Sequence, residues 1–536
     1  MTTAANTATH LGARALIDLI TDDGTFASWD EPVVDVHPDA AYADALSRAA
    51  ARSGADESVL TGEGLIRGRR VAVIVCEFSF LAGSIGVAAA ERLVEAIERA
   101  TRERIPILAG PASGGTRMQE GTVAFLSMVK ISAAVAAHRA AGLPYLVYLR
   151  HPTTGGVMAS WASLGHVTVA EPGALVGFLG PRVYEALYGD EFPEGVQTSE
   201  NMFRHGLVDA VVAPERLPGL IDRALSVLLG GAGGGGGAGG AAGTPGAGRT
   251  PSAGGAAGAP GAGTTPPAGP PAELERFTGT LVSAWDSITR SRRATRPGLR
   301  ALLRTAASDV LPLNGTGQGE SDPGLLLALA RFGSQPCIVL GHDRLPRRSG
   351  APLGPAALRE ARRGIRLSHE LGIPLVTVID TPGAALSKAA EEGGLAGEIA
   401  RCLAELIMLP SPTVSVILGE GTGGGALALL PADVTLSAQH GWLSPLPPEG
   451  ASAILFRDTE HAAELAEAQG VASTALLNNG IVDHVVPEHP DAADEPAAFC
   501  LRIGAAVEHA LAELTAERAE DRLTARLKRY RTMGLQ

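Results

Sequence analysis

The chain has 536 residues, 45% hydrophobic and 19% charged, with 68 glycines, 36 prolines and a formal net charge of −13. At on the order of 100–200 residues per domain, two or more domains are expected, each able to bury a core. Lysine occurs only at Lys130, Lys388 and Lys528, and no concentrated positive face is visible, which argues against a nucleic-acid partner.

From the N-terminus, "MTTAANTATHLGARALIDLI" has no basic start followed by an apolar core, so no secretory signal is expected. The longest apolar run, residues 71–90, carries Glu77 and Ser79 and breaks at glycines. It reads as a buried strand, a turn and a helix rather than a membrane span. Cys76, Cys337, Cys402 and Cys500 are widely separated, with no C-x-x-C. Buried free thiols in a soluble, cytoplasmic protein without membrane contact are expected, and no metal. Met128-Val-Lys130 lies within a helical window between Phe125 and Ile131, which places Lys130 on a helix surface.

Short β-branched runs at 69–78, 143–149, 336–341, 373–379 and 413–418 alternate with helical windows at 86–103 and 397–410. In the last window Ile399, Cys402, Leu403, Leu406 and Ile407 repeat at i, i+3, i+4, one buried helix face. Strand–helix alternation predicts α/β lobes with largely parallel sheets. From about Leu229 to Pro271 the chain is almost wholly Gly, Ala, Pro, Ser and Thr, which predicts a disordered, flexible linker spanning roughly 35–40 Å.

The flanks of that stretch echo each other. Ile105 and Ile373 open similar segments 268 positions apart, and Gly155-Gly156 matches Gly424-Gly425 at 269. Val167-Thr168-Val169 matches Val434-Thr435-Leu436 at 267, and the GLVD and GIVD segments at Gly206 and Gly480 match at 274. Two homologous lobes follow, at 1–228 and 273–536, with a linker at 229–272.

Gly419-Glu-Gly421-Thr-Gly-Gly424 fits the dinucleotide fingerprint G-x-G-x-x-G. A Rossmann unit needs a long helix after the third glycine, but Pro431 follows after seven residues. Its counterpart in the first lobe does not fit the fingerprint at all. What both lobes share is a strand, a tight turn, Gly-Gly and a helix start. Unpaired N–H groups at such a turn favour negative charge, and two of them make an oxyanion hole. The expected chemistry is enolate or oxyanion stabilisation, once per lobe; a plain tight turn is the alternative for either loop alone.

The first lobe resembles the β subunit of the bacterial acetyl-CoA carboxylase carboxyltransferase. The matching residues include "CEFSFLAGSIG", "SGGTRMQEG" (113–121), "PTTGGVMASWASLGHVTVAEPGALVGFLGPRV" and "GLVDAVV". The second lobe resembles the partner α subunit through "AWDSITRSRRATRP", "GIPLVTVIDTPGAALSKAAEEGG", "VILGEGTGGGALALL", "LSPLPPEGASAILFRD" and "GIVDHVVPE". The resemblance covers nearly all of the chain outside the linker, so the chain resembles a fusion of the two subunits. It implies crotonase-like ββα-spiral lobes and an active site between a first and a second lobe, usually of different protomers. It implies carboxyl transfer from carboxybiotin, on a separate biotin carboxyl carrier protein served by a biotin carboxylase, to acetyl-CoA or another short acyl-CoA. A homo-oligomer, dimer or hexamer, is implied too.

Carried over by position, Gly155 and Gly156 would hold the acyl thioester oxygen, and Gly424 and Gly425 the biotin ureido oxygen. Ser113, Gly114, Gly115 and Thr154, and Thr381, Pro382, Gly383, Gly423 and Ala426, would shape the facing walls. Glu449 and Glu392 read as structural rather than chemical. Ser160, His151 and His166 could be drawn as a triad, but nothing in the sequence orders them. The C-terminal charged stretch reads as a packing helix. Two departures stand out. The chain lacks the four-cysteine zinc ribbon of the split β subunit, and the α-type "PGAYPG" reads "PGAALSK" at 382–388. With Gly424-Gly425 intact, biotin transfer is expected to survive while partner recognition differs. A related malonyl- or acyl-CoA decarboxylase, or a non-catalytic scaffold, are the competing readings.

Overall fold

The computed structural model describes residues 10–34, 36–230, 282–344 and 352–535. The expected linker, from position 231 onward, lies outside the described residues.

The first sheet runs β1 (Ala27–Ser28), β2 (Val59–Ile66), β3 (Arg69–Cys76), β4 (Ile107–Gly110), β5 (Tyr145–Leu149), β6 (Val167–Ala170) and β7 (Ala210–Val211), in sequential spatial order. Its first two pairings are antiparallel and the rest parallel. The second lobe contains β8 (Ala307–Leu313), β9 (Leu325–Phe332), β10 (Gln335–His342), β11 (Leu375–Thr381), β12 (Thr413–Thr422), β13 (Val434–Ala438), β14 (Trp442–Ser444) and β15 (His484–Val486). It repeats the plan: β8/β9 and β9/β10 antiparallel, then parallel through β11, β12, β13 and β15, with β14 beside β12.

Local chemistry accounts for these strands. Val71, Val73 and Val75 alternate with Ala72, Ile74 and Cys76, and both sets are buried, as a strand covered on two faces requires. The β2–β3 hairpin closes on Arg67-Gly68, both at positive φ (51° and 77°), the geometry of a two-residue turn that keeps the strand twist. In the second lobe Gly333 (φ 53°) opens the equivalent β9–β10 turn.

Each sheet has an outer and an inner face. The outer core of the first lobe joins helix Ala13–Ile20 and helix Leu217–Gly230 to β3. That of the second joins helices Leu299–Ala306 and Pro496–Ala516 to β9–β12. The inner faces meet in one continuous core spanning both lobes. Its middle is helix Gly121–Ala140, apolar on every side, which packs on Val87–Arg102 of its own lobe and on Leu395–Ile407 of the other. This helix has the length and composition to cross a membrane, yet 78% of its apolar window is buried inside the protein.

Buried charges pin the lobes together. Lys130 is 2% exposed and its Nζ lies 3.0 Å from Glu91, so it is not a surface lysine. The helix is covered on all sides, a condition its sequence window did not reveal. Burial lowers the Lys130 pKa, with Glu91 opposing. Arg531, on the C-terminal helix Ala519–Thr532, reaches Glu91 at 2.5 Å and Glu98 at 3.0 Å in the first lobe. The same helix is anchored to its own lobe by Arg526, bidentate on Asp433 at 2.7 Å. The C-terminal stretch expected to form a single packing helix forms two, Pro496–Ala516 and Ala519–Thr532, because the backbone is extended at Glu517 and Arg518. All four cysteines are buried and free.

Candidate active site

β4 and β11 end in equivalent turns. After β4, Ser113 Oγ accepts the Gly115 N–H at 3.0 Å, and Gly115 sits at φ +111°. At the end of β11, Thr381 Oγ1 accepts the Gly383 N–H at 3.1 Å, and Gly383 sits at φ +132°. The second pair of turns follows β5 and β12. Gly155 (φ +67°) opens the short helix Gly155–Met158, and Gly423 (φ +62°) opens Gly423–Leu427. Side chains other than hydrogen are strained in that left-handed region, so glycine is needed at both.

This geometry moves the register of the repeat. Gly155 superposes in role on Gly423 and Gly156 on Gly424, both 268 positions apart, the spacing that also relates Ser113 to Thr381 and Gly115 to Gly383. The expected pairing with Gly424-Gly425 was therefore one residue late: three glycines in a row hid which one begins the helix.

The four turns face one another across a single cavity of about 380 Å³. Gly114, Thr116, Gly155 and Gly156 line it from the first lobe, and Pro382, Gly383, Ala384, Thr422, Gly423 and Gly424 from the second. Both lobes of the chain thus contribute to the wall. Of the expected site residues, Ser113, Gly115, Thr154, Thr381, Gly425 and Ala426 are not part of the wall. Ser113 and Thr381 shape the turns from behind.

Among the described residues, the N–H groups of Thr116 and Gly156, and of Ala384 and Gly424, take no hydrogen-bond acceptor. The Gly155 N–H is committed to the Phe178 carbonyl at 2.9 Å, so Gly156 supplies the donor at that turn. Each lobe therefore brings two amides of the same rank to the cavity. The rest of the wall is apolar, with Met118, Phe125, Phe178, Leu179, Val183, Leu386, Leu427, Leu446 and Ile454, and among the described residues none of those lining it is titratable.

The other marked residues fall elsewhere. Gly419 and Gly421 lie inside β12, where a Cβ at 419 would come within 2.5 Å of Asp380 Oδ1, so the apparent dinucleotide fingerprint is half strand. Ser160 Oγ donates to the Gly156 carbonyl at 2.6 Å, fixing the turn. His151 stacks on His10 with ring centres 4.2 Å apart, and His166 Nδ1 accepts the Tyr145 N–H at 3.1 Å, so no triad forms. Glu449 pairs with Arg292, and Glu392 accepts from Asn201 Nδ2 at 3.1 Å. Among the described residues no cluster of His, Cys, Asp and Glu is arranged to hold a metal.

Sequence reasoning missed Glu391. The altered 382–388 segment contains Ser387, whose side chain caps helix Lys388–Glu392 and so delivers Glu391 into the lobe interface. The Ser-x-x-x-Glu spacing was visible, but not what the carboxylate would meet. Also missed was His342, buried at the end of β10, whose Nδ1 accepts the Asp380 N–H at 3.3 Å. Burial pushes its pKa down to about 4. The folded chain thus keeps the ring neutral where the unfolded chain protonates it, near 6.5. The stability this gives is full above about pH 6.5 and falls as pH drops toward 4, by about 1.4 kcal/mol per unit. Urea unfolding at pH 7.5 and pH 5 is expected to show about 2 kcal/mol less acid sensitivity in His342→Gln than in the parent; equal slopes contradict it.

Two family models match the chain: carboxyl transferase domain over residues 9–215, and acetyl co-enzyme A carboxylase carboxyltransferase-like over residues 272–534. The chain is 58% identical over 516 residues, 96% of its length and 97% of the relative's, to a Mycobacterium tuberculosis protein named "Probable biotin-dependent acyl-coenzyme A carboxylase beta3 subunit". It is 37% identical over 506 residues to the "Acetyl-coenzyme A carboxylase carboxyl transferase subunits beta/alpha" of Salinispora tropica, covering 91% of this chain and 85% of that one. A Parafrankia protein of the same name is 37% identical over 540 residues, covering 98% and 86%. With two equivalent turns in each lobe, a shared cavity and these relatives, the chain belongs to the biotin-dependent acyl-CoA carboxylase carboxyltransferases, with its β-type and α-type lobes fused in a single polypeptide.

Proposed function

We propose that the cavity passes a carboxyl group from carboxybiotin, presented by a separate carrier protein, to the α-carbon of a short acyl-CoA, and that a biotin carboxylase recharges the carrier in the cytoplasm. We assign each lobe to the crotonase-like ββα-spiral class. The observation that carries this reading is a wall that, among the described residues, has four unpaired amides and no titratable side chain. Such a site supplies no acid or base of its own, so the base must arrive with a substrate, and the protein stabilises anions.

In this reading the Gly156 and Thr116 amides donate to the thioester oxygen, and the Gly424 and Ala384 amides to the ureido oxygen of biotin. Cleavage of the carboxybiotin C–N bond leaves CO2 and an electron pair on the ureido group, held by the second-lobe amides. That anion takes the α-proton of the acyl-CoA. The first-lobe amides hold the resulting enolate while its carbon forms the new bond to CO2. The apolar walls exclude water from both anions, which strengthens each N–H contact.

The test is the reverse reaction. Purified protein with malonyl-CoA and free biotin is expected to form acetyl-CoA at a rate that depends on biotin. Acetyl-CoA formed at the same rate without biotin would favour the decarboxylase reading, and no turnover would leave a scaffold. Acetyl- and propionyl-CoA assayed side by side then rank the acyl group.

A further inference from the structure

We propose that Glu391 is a positioning residue: from the second lobe it holds, through the Phe178 peptide, the Gly155 turn of the first. The inference rests on reading that turn as the thioester site.

Glu391 is 6% exposed, and both its carboxylate oxygens accept the Phe178 N–H at 2.9 Å. Oε1 also accepts the Leu179 N–H at 3.4 Å and Gln197 Nε2 at 2.6 Å. Phe178, Leu179 and Gln197 belong to the opposite lobe. No cation pairs with Glu391 among the described residues, so its buried charge is satisfied by the first lobe's amides, and only when the lobes are docked. Burial raises its pKa, with the Phe178, Gln197 and Leu179 donors opposing.

Phe178 carries this contact to both turns. Its carbonyl accepts the Gly155 N–H at 2.9 Å, and an N–H bonded to a carboxylate polarises the peptide so that its carbonyl accepts better. Its ring lies against Gly424, where a Cβ would be 2.9 Å from Cε2. Placement of the Gly156 donor thus depends on a carboxylate of the other lobe. Glu392, one residue on, crosses the same interface to Asn201 without touching either turn. A contact that only docks the lobes would make the two glutamates equivalent.

The experiment compares Glu391→Gln with Glu392→Gln in the full chain by biotin-dependent reverse transfer, with thermal midpoints alongside. Glu391→Gln is expected to lower kcat by about 10–100-fold with KM for the CoA thioester within about twofold, because a misplaced donor is felt in the transition state. Glu392→Gln is expected to stay within about twofold of the parent in both. Should Glu391→Gln fail to fold, Gln197→Met tests the relay from the first lobe, with an expected kcat loss of about threefold to tenfold at unchanged KM. Equal kcat losses in the two glutamate variants, or a raised KM at parental kcat in Glu391→Gln, overturn the relay. A parent without turnover overturns the reading of the turns and the relay together, whereas parental turnover with equal losses overturns the relay alone.

Discussion

Gly156→Pro and Gly424→Pro are each expected to lower kcat for carboxyl transfer by about 10²–10³-fold, the cost of removing one oxyanion-hole donor. Proline deletes the N–H and keeps a φ near −65°, which suits the first turn of a helix, while its Cβ adds a close contact, 2.8 Å to Thr116 Oγ1 at 156 and 2.8 Å to Ile399 Cδ1 at 424, so the loss is at least that of the donor. The two losses should separate by substrate. Gly156→Pro should leave the KM for free biotin near parental, and Gly424→Pro should leave acyl-CoA binding by calorimetry near parental. Alanine substitution gives a sharper contrast at neighbouring positions. At Gly424 a Cβ would lie 2.8 Å from Ile399 Cδ1 and 2.9 Å from Phe178 Cε2, so Gly424→Ala must displace the turn. At Gly425 the nearest atoms are 3.5 Å or more away, ordinary contact. Gly425→Ala should therefore stay within about threefold of the parent while Gly424→Ala loses at least tenfold. Steady-state kinetics on the pair test which of the two glycines is close-packed in the turn, and equal losses contradict it.

Mixing two dead chains should restore nothing. The two lobes that close the cavity belong to one polypeptide and are joined by contacts that tie one to the other. Thr122 Oγ1 donates to the Leu443 and Gln469 carbonyls at 3.2 and 3.0 Å, and Arg531 binds Glu91 and Glu98. Glu391 and Glu392 add theirs. Co-expressing Gly156→Pro with Gly424→Pro in the same cell then leaves every cavity with one broken turn. If the lobes instead exchanged between two protomers, random pairing would give mixed dimers with one intact site, and about a quarter of parental activity would return. Reverse transfer assayed on the whole co-expressed pool, purified through a tag that both chains carry, distinguishes the two outcomes.

Much of this was legible in the sequence because the duplication doubled each weak signal. One Gly-Gly after a strand is only a turn, but two in the same order, embedded in strand–helix alternation, pointed to α/β lobes and to glycine turns, which the structure places on the wall of one cavity. What failed was finer than a residue type. Three consecutive glycines at 423–425 left the helix start ambiguous by one position, and only the positive φ of Gly423 resolved it. Gly155 looked like a donor, yet its N–H goes to Phe178, a partner 23 residues away that no local pattern announces. Lys130 looked exposed because its own helix window says nothing of the second lobe that covers it. Glu391 was invisible for the same reason: its partners are backbone amides of the other lobe, and backbone leaves no signature in a sequence.

In the proposed mechanism each lobe offers one pair of amides to one of two anions across a shared cavity. A crystal structure of the protein with an acyl-CoA and biotin bound together tests it most directly. The thioester oxygen is expected within about 2.7–3.1 Å of the Gly156 nitrogen and the ureido oxygen at the same distance from the Gly424 nitrogen. A thioester oxygen on Gly424, or either oxygen facing a side chain in place of these amides, would contradict it.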